Sequence, residues 1–532
     1  MDLLQNIKTR FEFRNLILLL LATTFSQCKD KKENKKDNRQ EGAPNIILFF
    51  TDDQGYADVG CFDGEKVKTP NLDKMAVEGM KLTDFYVAAP TCTPSRYALM
   101  TGSYPARVLN SLDKPKNART SIQAIAEVDT SIYDKDQCKY IKKLQETRPG
   151  ASFLDIWHGI NKDEVTMAEL LKKQGYATAH YGKWDMGRAL QFSPVHNGFD
   201  EFLGTPNSHD FGPACSYPVI LESNLVFPSL PLIENDSILE YDADYNLLTK
   251  RYTNRAIKFI QKNSNSPFFI YMAYNMPHVP LGVSPEFKGI TGQGLYADVI
   301  REIDWSVGRI MEELEKQGLT ENSLLIFTSD NGPWLAYGDH AGNTGPLRGG
   351  KKNYFEGGIR VPCIMKWPKV IKPGTVYSNP VMTIDLYPTF AEIAGAELTE
   401  NEIDGVSILP LLLDPDVNPP REAYYFYKGG DNSPYWGDSE IVAVRSGKWK
   451  LMLPHQYSTV EGIELKKGGV PVPSIKASID TALFNLETDI SETTNVKDQH
   501  PEIVKKLSRM AYEYNLELKK NRRSVSWVTD DE

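Results

Sequence analysis

Four apolar runs along the chain each end in polar or charged residues. NIILFFTDDQG begins at Asn45, YATAHYGKWD at Tyr176, FFIYMAYNMPH at Phe268 and LLIFTSDNG at Leu324. Continuous apolar runs of this length, closed by Gly or Pro, predict strands buried on both faces, and such strands usually pair in parallel. Helical patterns lie between them. In LYADVIREIDWSVGRIMEELEKQG, Leu295, Val299, Ile303, Val307, Ile310 and Leu314 recur every three or four residues, and Gly318 is placed to stop the helix. Strands alternating with helices predict an α/β fold, a large, mostly parallel sheet sandwiched by helices. Ligands of such sheets bind beyond the carboxyl ends of the strands, so the four polar tails should converge.

From about Asn418 the pattern changes to AYYFY, EIVAVRSGKWKLML and ALFNLETD, short strand-like runs separated by polar turns, and an amphipathic stretch runs from Pro501 to Leu518. This predicts a smaller α+β domain with an antiparallel sheet, packed on the first. The main domain then spans 44–417 and the C-terminal one 418–532. Residues 108–164 fit neither pattern and read as a surface insertion. Ahead of these domains, LILLLLATTF is an apolar run of about ten residues, too short to span a bilayer and typical of a signal peptide over 1–27. Cys28 closes that region and a charged, flexible linker follows over 28–43. The placement resembles a bacterial lipoprotein signal, in which such a Cys becomes the lipidated first residue of the mature protein. It predicts export, with a lipid anchor at Cys28 on the periplasmic or cell-surface side. The preceding FSQ departs from the commonest form of that motif and leaves soluble secretion as the alternative.

The net charge is −10 with both signs mixed along the chain, so there is no global basic field for nucleic acid, and an anionic ligand must be met by a local cluster. Beyond Cys28 the cysteines are Cys61, Cys92, Cys138, Cys215 and Cys363, an odd number at irregular spacing with no CxxC pair. A zinc knuckle is unsupported and at least one of the five is unpaired. Cys92, in CTPSR, is a reactive centre, a metal ligand, half a disulfide or a small buried side chain; position alone leaves all four open.

Asp52 and Asp53 close the first run, and Asp330 with Asn331 closes the fourth. Taken singly, an acid pair after a strand reads as a turn or helix cap. Two such pairs at converging strand ends, with no His or Cys expected nearby, suit a hard cation such as Ca²⁺ or Mg²⁺. Arg96, Lys183, His278 and Lys351 form a second set, flanking predicted strand ends. Beside a divalent cation they make a site for a tetrahedral oxyanion.

These residues carry a family resemblance. The stretch NIILFFTDDQGYADVGCFDGEKVKTPNLDKMAVEG, then CTPSR followed by YALMTGSYPAR, GYATAHYGKWDMG, NGFDEFLGTPN, MPHVP, LIFTSDNGP and GGKKNYFEGGIRVP resemble, in this order, a type I sulfatase. Within that family the chain is most similar to the arylsulfatase A and N-acetylgalactosamine-6-sulfatase type, whose fold is alkaline phosphatase-like. The resemblance implies that Cys92 is oxidised after translation to Cα-formylglycine, with Pro94 and Arg96 part of the motif read by the formylglycine-generating enzyme. The hydrated aldehyde offers one hydroxyl to attack sulfur and a second to expel sulfate afterwards. It further implies that Asp52, Asp53, Asp330, Asn331 and the residue made from Cys92 bind Ca²⁺. Arg96 would steady that residue, Lys183 and Lys351 would hold sulfate oxygens, and His278 would serve as general acid.

One position departs from the pattern. The family usually has GKWH where this chain has GKWD, so Asp185 stands in place of a His that contacts the formylglycine hydroxyl. Asp185 could accept the same proton during sulfate release, or point away while His180, His196 or His209 fills the space. Two other readings remain: a phosphoesterase or phosphonate hydrolase of the same superfamily, and a non-catalytic glycan-binding lipoprotein. The former usually sets His beside the metal-binding Asp, whereas Asn331 follows Asp330 here. An exported enzyme of this type implies a sulfated polysaccharide or oligosaccharide substrate. Its pocket walls should come from 108–164, from the region of Asn207 to Tyr217, and from the stretch beginning at Tyr427.

Overall fold

The apolar runs become the central strands of a ten-stranded sheet. In chain order the strands are β1 (Asn45–Thr51), β2 (Met80–Leu82), β3 (Ala177–Gly182), β4 (Glu201–Gly204), β5 (Pro231–Glu234), β6 (Ser237–Tyr241), β7 (Phe268–Ala273), β8 (Ser323–Ser329), β9 (Cys363–Lys366) and β10 (Thr375–Tyr377). The computed structural model describes residues 42–64, 67–109, 158–211, 230–428 and 439–527. The predicted signal peptide, Cys28, nearly all of the linker, most of the 108–164 insertion, Cys138 and Cys215 lie outside them.

Across the sheet the order is β10-β2-β9-β8-β1-β7-β3-β4-β5-β6. The five middle strands from β8 to β4 are mutually parallel: β8, β1, β7 and β3 are the four predicted apolar runs, and β4, whose sequence EFLG is not an apolar run, joins them beyond β3. The edges turn antiparallel at β9 and at β5, so the sheet is mixed. Alternation along β1 divides the core. Ile46, Leu48 and Phe50 join one buried cluster, and Ile47 and Phe49 join the other on the opposite face.

Helices cover both faces. On the first lie α2 (Cys92–Thr101), α3 (Met167–Lys173) and α6 (Leu386–Ala394); on the second lie α1 (Pro70–Val77), α4 (Leu248–Lys262) and α5 (Leu295–Lys316). In α5 the predicted stripe is fully buried or nearly so at Val299, Ile303, Val307, Ile310 and Leu314, while Leu295 at its start is only partly buried, and Gly318 follows the cap with φ +68°.

The C-terminal part is an antiparallel sheet of β11 (Tyr424–Lys428), β12 (Glu440–Ser446), β13 (Trp449–Met452) and β14 (Ala482–Asn485), with α7 (Pro501–Lys520) packed on it. A buried ionic cluster joins it to the main sheet. Lys450 Nζ lies 2.9 Å from Glu356 Oε1 and 2.8 Å from Glu492 Oε1. Arg360 pairs with Asp84, and Arg445 Nη2 reaches Asp84 Oδ2 at 3.0 Å. Burial works against the Glu356 charge, but Lys450, Arg360 and Arg445 outweigh it and keep that carboxyl low. Removing one member of such a cluster leaves an uncompensated buried charge.

Candidate active site

The parallel register aligns Thr51 of β1 with Ser329 of β8, so Asp52–Asp53 and Asp330–Asn331 leave the sheet side by side. The Asp330 amide donates to Thr51 O at 3.0 Å, and the Asp53 amide donates to Asp330 Oδ1 at 3.1 Å. Asn331 Nδ2 donates to Asp53 Oδ1 at 2.7 Å. Asp53 takes a left-handed backbone, φ +64°, and its carboxylate meets Asn331, Lys351 and His278. All four side chains are buried, and Asp52 Oδ1 and Asn331 Oδ1 have no hydrogen-bond partner. Each such orphan costs about 1–3 kcal/mol, and two within one acidic cluster suit a hard cation bound by oxygen. Burial opposes ionisation of Asp52, yet Lys183, His278, Arg96 and Lys351 hold its carboxyl far below the usual range. Asp330 is driven the other way, by burial and by the Asp52 charge, against the pull of Arg96.

The expectation that no histidine lies near these acids is corrected. His278 Nε2 is 3.5 Å from Asp53 Oδ2, and Asp52, Asp53 and His278 present ligand atoms within 4.8 Å of one another. The cause is topological: β7 is the other neighbour of β1, so its tail ends beside the tail of β1. His278 Nδ1 lies 2.6 Å from Val279 O. A carbonyl only accepts, which places a proton on Nδ1 and leaves Nε2 facing the site.

The cations enclose the acids. Lys183 follows β3 directly, and its amide donates to Ala273 O at 2.7 Å. That close approach requires Gly182, φ +123°, where a Cβ would sit 1.8 Å from Ala273 O. Lys183 Nζ is 2.8 Å from Asp52 Oδ2, and Lys351 Nζ is 2.7 Å from Asp53 Oδ1. Arg96 comes not from a strand end, as expected, but from the second turn of α2, one turn after Cys92. Its Nε and Nη2 donate to Asp330 Oδ2 at 3.1 and 2.8 Å, and Nη1 donates to Lys183 O at 2.9 Å.

Cys92 opens α2, after an extended Thr91. The thiol is free, as are those of Cys61 and Cys363, so among the described cysteines no disulfide forms. Its side chain is only partly exposed, and the protein encloses it on most sides. Burial pushes the thiol up to about 12, with Lys183 pulling it down and Asp185 opposing that pull. A thiol held there stays protonated at neutral pH and is a weak nucleophile.

Asp185 does not point away. Its backbone is left-handed, φ +62°, and Oδ2 accepts from Thr93 Oγ1 at 2.8 Å, with Lys183 Nζ 3.5 Å off. Of the three candidate substitutes, His180 is sealed among the rings of Trp184, Phe199, Phe202 and Tyr271, and His196 lies at the surface 3.1 Å from Asp236. His209 alone of the three approaches the site, its ring 5.8 Å from that of His278.

Three participants were not singled out in the sequence. Thr93 sits inside the CTPSR motif. Trp334 packs its ring 5.7 Å from His278 and under the ammonium groups of Lys351 and Lys352, at 4.9 and 4.3 Å. Lys352, next to Lys351, is left-handed at φ +73° and donates its amide to Pro90 O at 2.8 Å. It is solvent-accessible yet set deep in the protein, and burial together with Lys351 lowers its ammonium to about 8.

Buried carboxylates with orphaned oxygens, ringed by an arginine and two lysines at the carboxyl edge of this sheet, define a hydrolase of tetrahedral oxyanion esters. Residues 44–396 match the sulfatase family, and 350–467 match the N-sulphoglucosamine sulphohydrolase C-terminal family. The chain belongs to the sulfatase family and is a sulfuric ester hydrolase of alkaline phosphatase-like fold. It is 35% identical to arylsulfatase A of Bos taurus over 86% of this chain and 84% of that one. It is 34% identical to N-acetylgalactosamine-6-sulfatase of Rattus norvegicus over 77% and 71%. Among solved structures it is similar to Ps i-CgsB in complex with k-i-k-neocarrahexaose, with a TM-score of 0.67 and 29% identity over 92% of this chain and 95% of that one.

Proposed function

We propose that Cys92, matured to Cα-formylglycine by a formylglycine-generating enzyme, is the nucleophile of a Ca²⁺-dependent sulfatase acting on a sulfated polysaccharide or oligosaccharide. The observation that carries this reading is the pair of orphaned oxygens, Asp52 Oδ1 and Asn331 Oδ1, in an acidic cluster beside the helix that begins with Cys92. Asp52, Asp53, Asp330, Asn331 and the residue formed at position 92 would hold the ion. Oxygen donors with Asn331 after Asp330 favour Ca²⁺ over a softer metal. The ion, when bound, supplies Lewis-acid polarisation of the sulfate.

The chain's own groups divide the remaining work. Lys183 and Lys351 bind sulfate oxygens, and Arg96 fixes Asp330 and the Lys183 backbone. His278 presents Nε2 to the site and, in the doubly protonated form that carries a proton on Nε2 as well as Nδ1, gives the Nε2 proton to the leaving sugar oxygen and is left as the neutral imidazole. Asp185 takes a proton from the residue at position 92 as sulfate leaves, aimed by the hydroxyl of Thr93. A glycan substrate is supported by the carrageenan-type oligosaccharide bound to the similar Ps i-CgsB. Export, with lipid attachment at Cys28 on the periplasmic or cell-surface side, rests on the short apolar run and the charged linker after it.

Two measurements test the reading. Mass spectrometry of the Cys92 peptide from protein made in its own host should show the thiol converted to an aldehyde. The matured protein should release sulfate from sulfated glycans faster than it releases phosphate from the matching phosphate esters. An intact thiol in a protein that turns over sulfate esters would sink the nucleophile assignment.

A further inference from the structure

Asp210 is a buried carboxylate at the edge of this site. It is 2% exposed, and neither of its oxygens has a hydrogen-bond partner. It ends a short run in which every residue carries an unsatisfied buried polar atom: Asn207 Nδ2, Ser208 Oγ, His209 Nδ1 and both oxygens of Asp210. Ser208 lies close enough to support the Asp210 charge, although no bond between them closes in good geometry. The run is held against the active site. His209 Nε2 lies 2.9 Å from Pro280 O, and its ring packs 5.8 Å from that of His278. The Asp210 charge is felt by His278, Lys183 and Lys352, the last two of which also act on Cys92.

Buried polar atoms left unpaired in this number call for an explanation. The chemistry of the set limits what could satisfy it. It mixes donors and acceptors, and an amide nitrogen such as Asn207 Nδ2 cannot ligate a cation. An additional anionic group would be repelled by Asp210. A sterol or a plain aromatic alcohol would leave the buried carboxylate unsatisfied, and a site built to accept a hydrogen bond from a hydroxyl strongly rejects partners that lack one. Neighbouring hydroxyls, which donate and accept at once, fit the set, and an ionised carboxylate takes two such donors side by side.

We infer that Asp210, with the run from Asn207, forms a sugar subsite in which the carboxylate accepts hydrogen bonds from adjacent hydroxyls of the hexose bearing the scissile sulfate. The inference rests on the sulfated-glycan reading and narrows it: the residue carrying the sulfate keeps free hydroxyls next to the reacting position. Asp210 is then a specificity determinant that discriminates sugar sulfates from aryl and steryl sulfates.

The experiment uses the full chain in two forms. With Cys92→Ala protein, calorimetry measures binding of monosulfated galactose and glucosamine derivatives and of their singly deoxygenated analogues. Removing the recognised hydroxyl should weaken binding about 10-fold or more, and Asp210→Ala should abolish that difference. With matured protein, Asp210→Ala should cut kcat/KM on the best sulfated hexose about 10²-fold and change turnover of p-nitrophenyl sulfate less than 3-fold. Asp210→Asn, which keeps the shape, provides a second variant if the alanine protein does not fold. Equal losses on hexose and aryl substrates would overturn the inference and make Asp210 a positioning residue for His278. Deoxy analogues that bind as well as their parents, or no binding by any sulfated hexose, would overturn it as well. Failure of the sulfatase reading shows up separately, as absent aryl sulfate turnover by wild type, and leaves the binding comparison readable.

Discussion

Arg96 grips Asp330 by a single oxygen: Nε and Nη2 both donate to Oδ2, at 3.1 and 2.8 Å, while Oδ1 receives the Asp53 amide. The guanidinium thereby fixes how that carboxylate faces its neighbours, and its third contact, to Lys183 O, ties α2 to the end of β3. Lysine would keep the charge and lose the fork. Arg96→Lys should fold and release sulfate at least 10-fold more slowly. Arg96→Ala leaves two buried carboxylates short of a cation and should cost about 3 kcal/mol or more in urea denaturation. Wild-type turnover by the lysine variant would refute the orienting role.

Asp185 should matter for one half of the reaction. If it takes the proton during sulfate release, Asp185→Ala should lower steady-state turnover about 10²-fold or more. The first, sugar-releasing turnover should be affected far less. Rapid-mixing measurements separate the two phases, and Asp185→His should recover much of the loss. Thr93→Val removes the hydroxyl that aims the carboxylate and should give a smaller defect in the same phase. An unchanged steady state in the alanine variant would remove Asp185 from the mechanism.

Calcium should act on stability as well as on rate. A bound cation would satisfy the orphaned oxygens of Asp52 and Asn331, so chelation should lower the thermal midpoint and added Ca²⁺ should restore it. At a free ion concentration of 100 times Kd the gain is about 2.7 kcal/mol. Asn331→Ala should raise the Ca²⁺ concentration needed for that shift. A midpoint indifferent to chelator and to ion would argue against a bound metal.

His180 makes the fold acid-sensitive. Burial, reinforced by the Arg96 charge, lowers this imidazole to about 3, and neither ring nitrogen closes a hydrogen bond of acceptable geometry, although the Gly182 and Lys183 backbone lies beside it. The unfolded chain takes up a proton near pH 6.5 while the folded chain resists it to about 3. Stability is therefore full above the unfolded value and falls as pH drops through this window, by about 1.4 kcal/mol per pH unit from this residue. Urea midpoints measured from pH 7 to pH 4 should show that slope, and His180→Phe should flatten it. A variant with the wild-type slope would place the acid sensitivity elsewhere.

What could be read in the sequence followed from local pattern. The runs at Asn45, Tyr176, Phe268 and Leu324 announced buried strands because both their faces are apolar, and acids placed directly after two of them had to meet once those strands paired. Strand order is not legible, since nothing in β1 states that β7 and β8 flank it: the sequence brings the tail carrying His278 to the site but does not place its ring against Asp53 among the acids. The edge strands β5, β6, β9 and β10 are short and carry little periodic signal. The Thr93–Asp185 bond joins residues 92 positions apart. The sequence places Asp210 only within a stretch expected in the pocket wall, Asn207 to Tyr217, and its unpartnered carboxylate becomes visible only in the folded chain.

The ionic cluster around Lys450 bears on more than stability. The loop that presents Lys351 is fastened at one end, where the Lys351 amide donates to Pro333 O at 2.9 Å. At the other end the Glu356 amide donates to Glu492 Oε2 at 2.6 Å, and Lys450 bridges both glutamates. The loop that carries Lys351 thus takes its position from residues 94 and 136 places beyond Glu356. Anyone building chimeras from this scaffold must move Lys450 and Glu492 as a matched set with Glu356, because grafting a foreign C-terminal sheet would shift the catalytic loop without altering a residue within it.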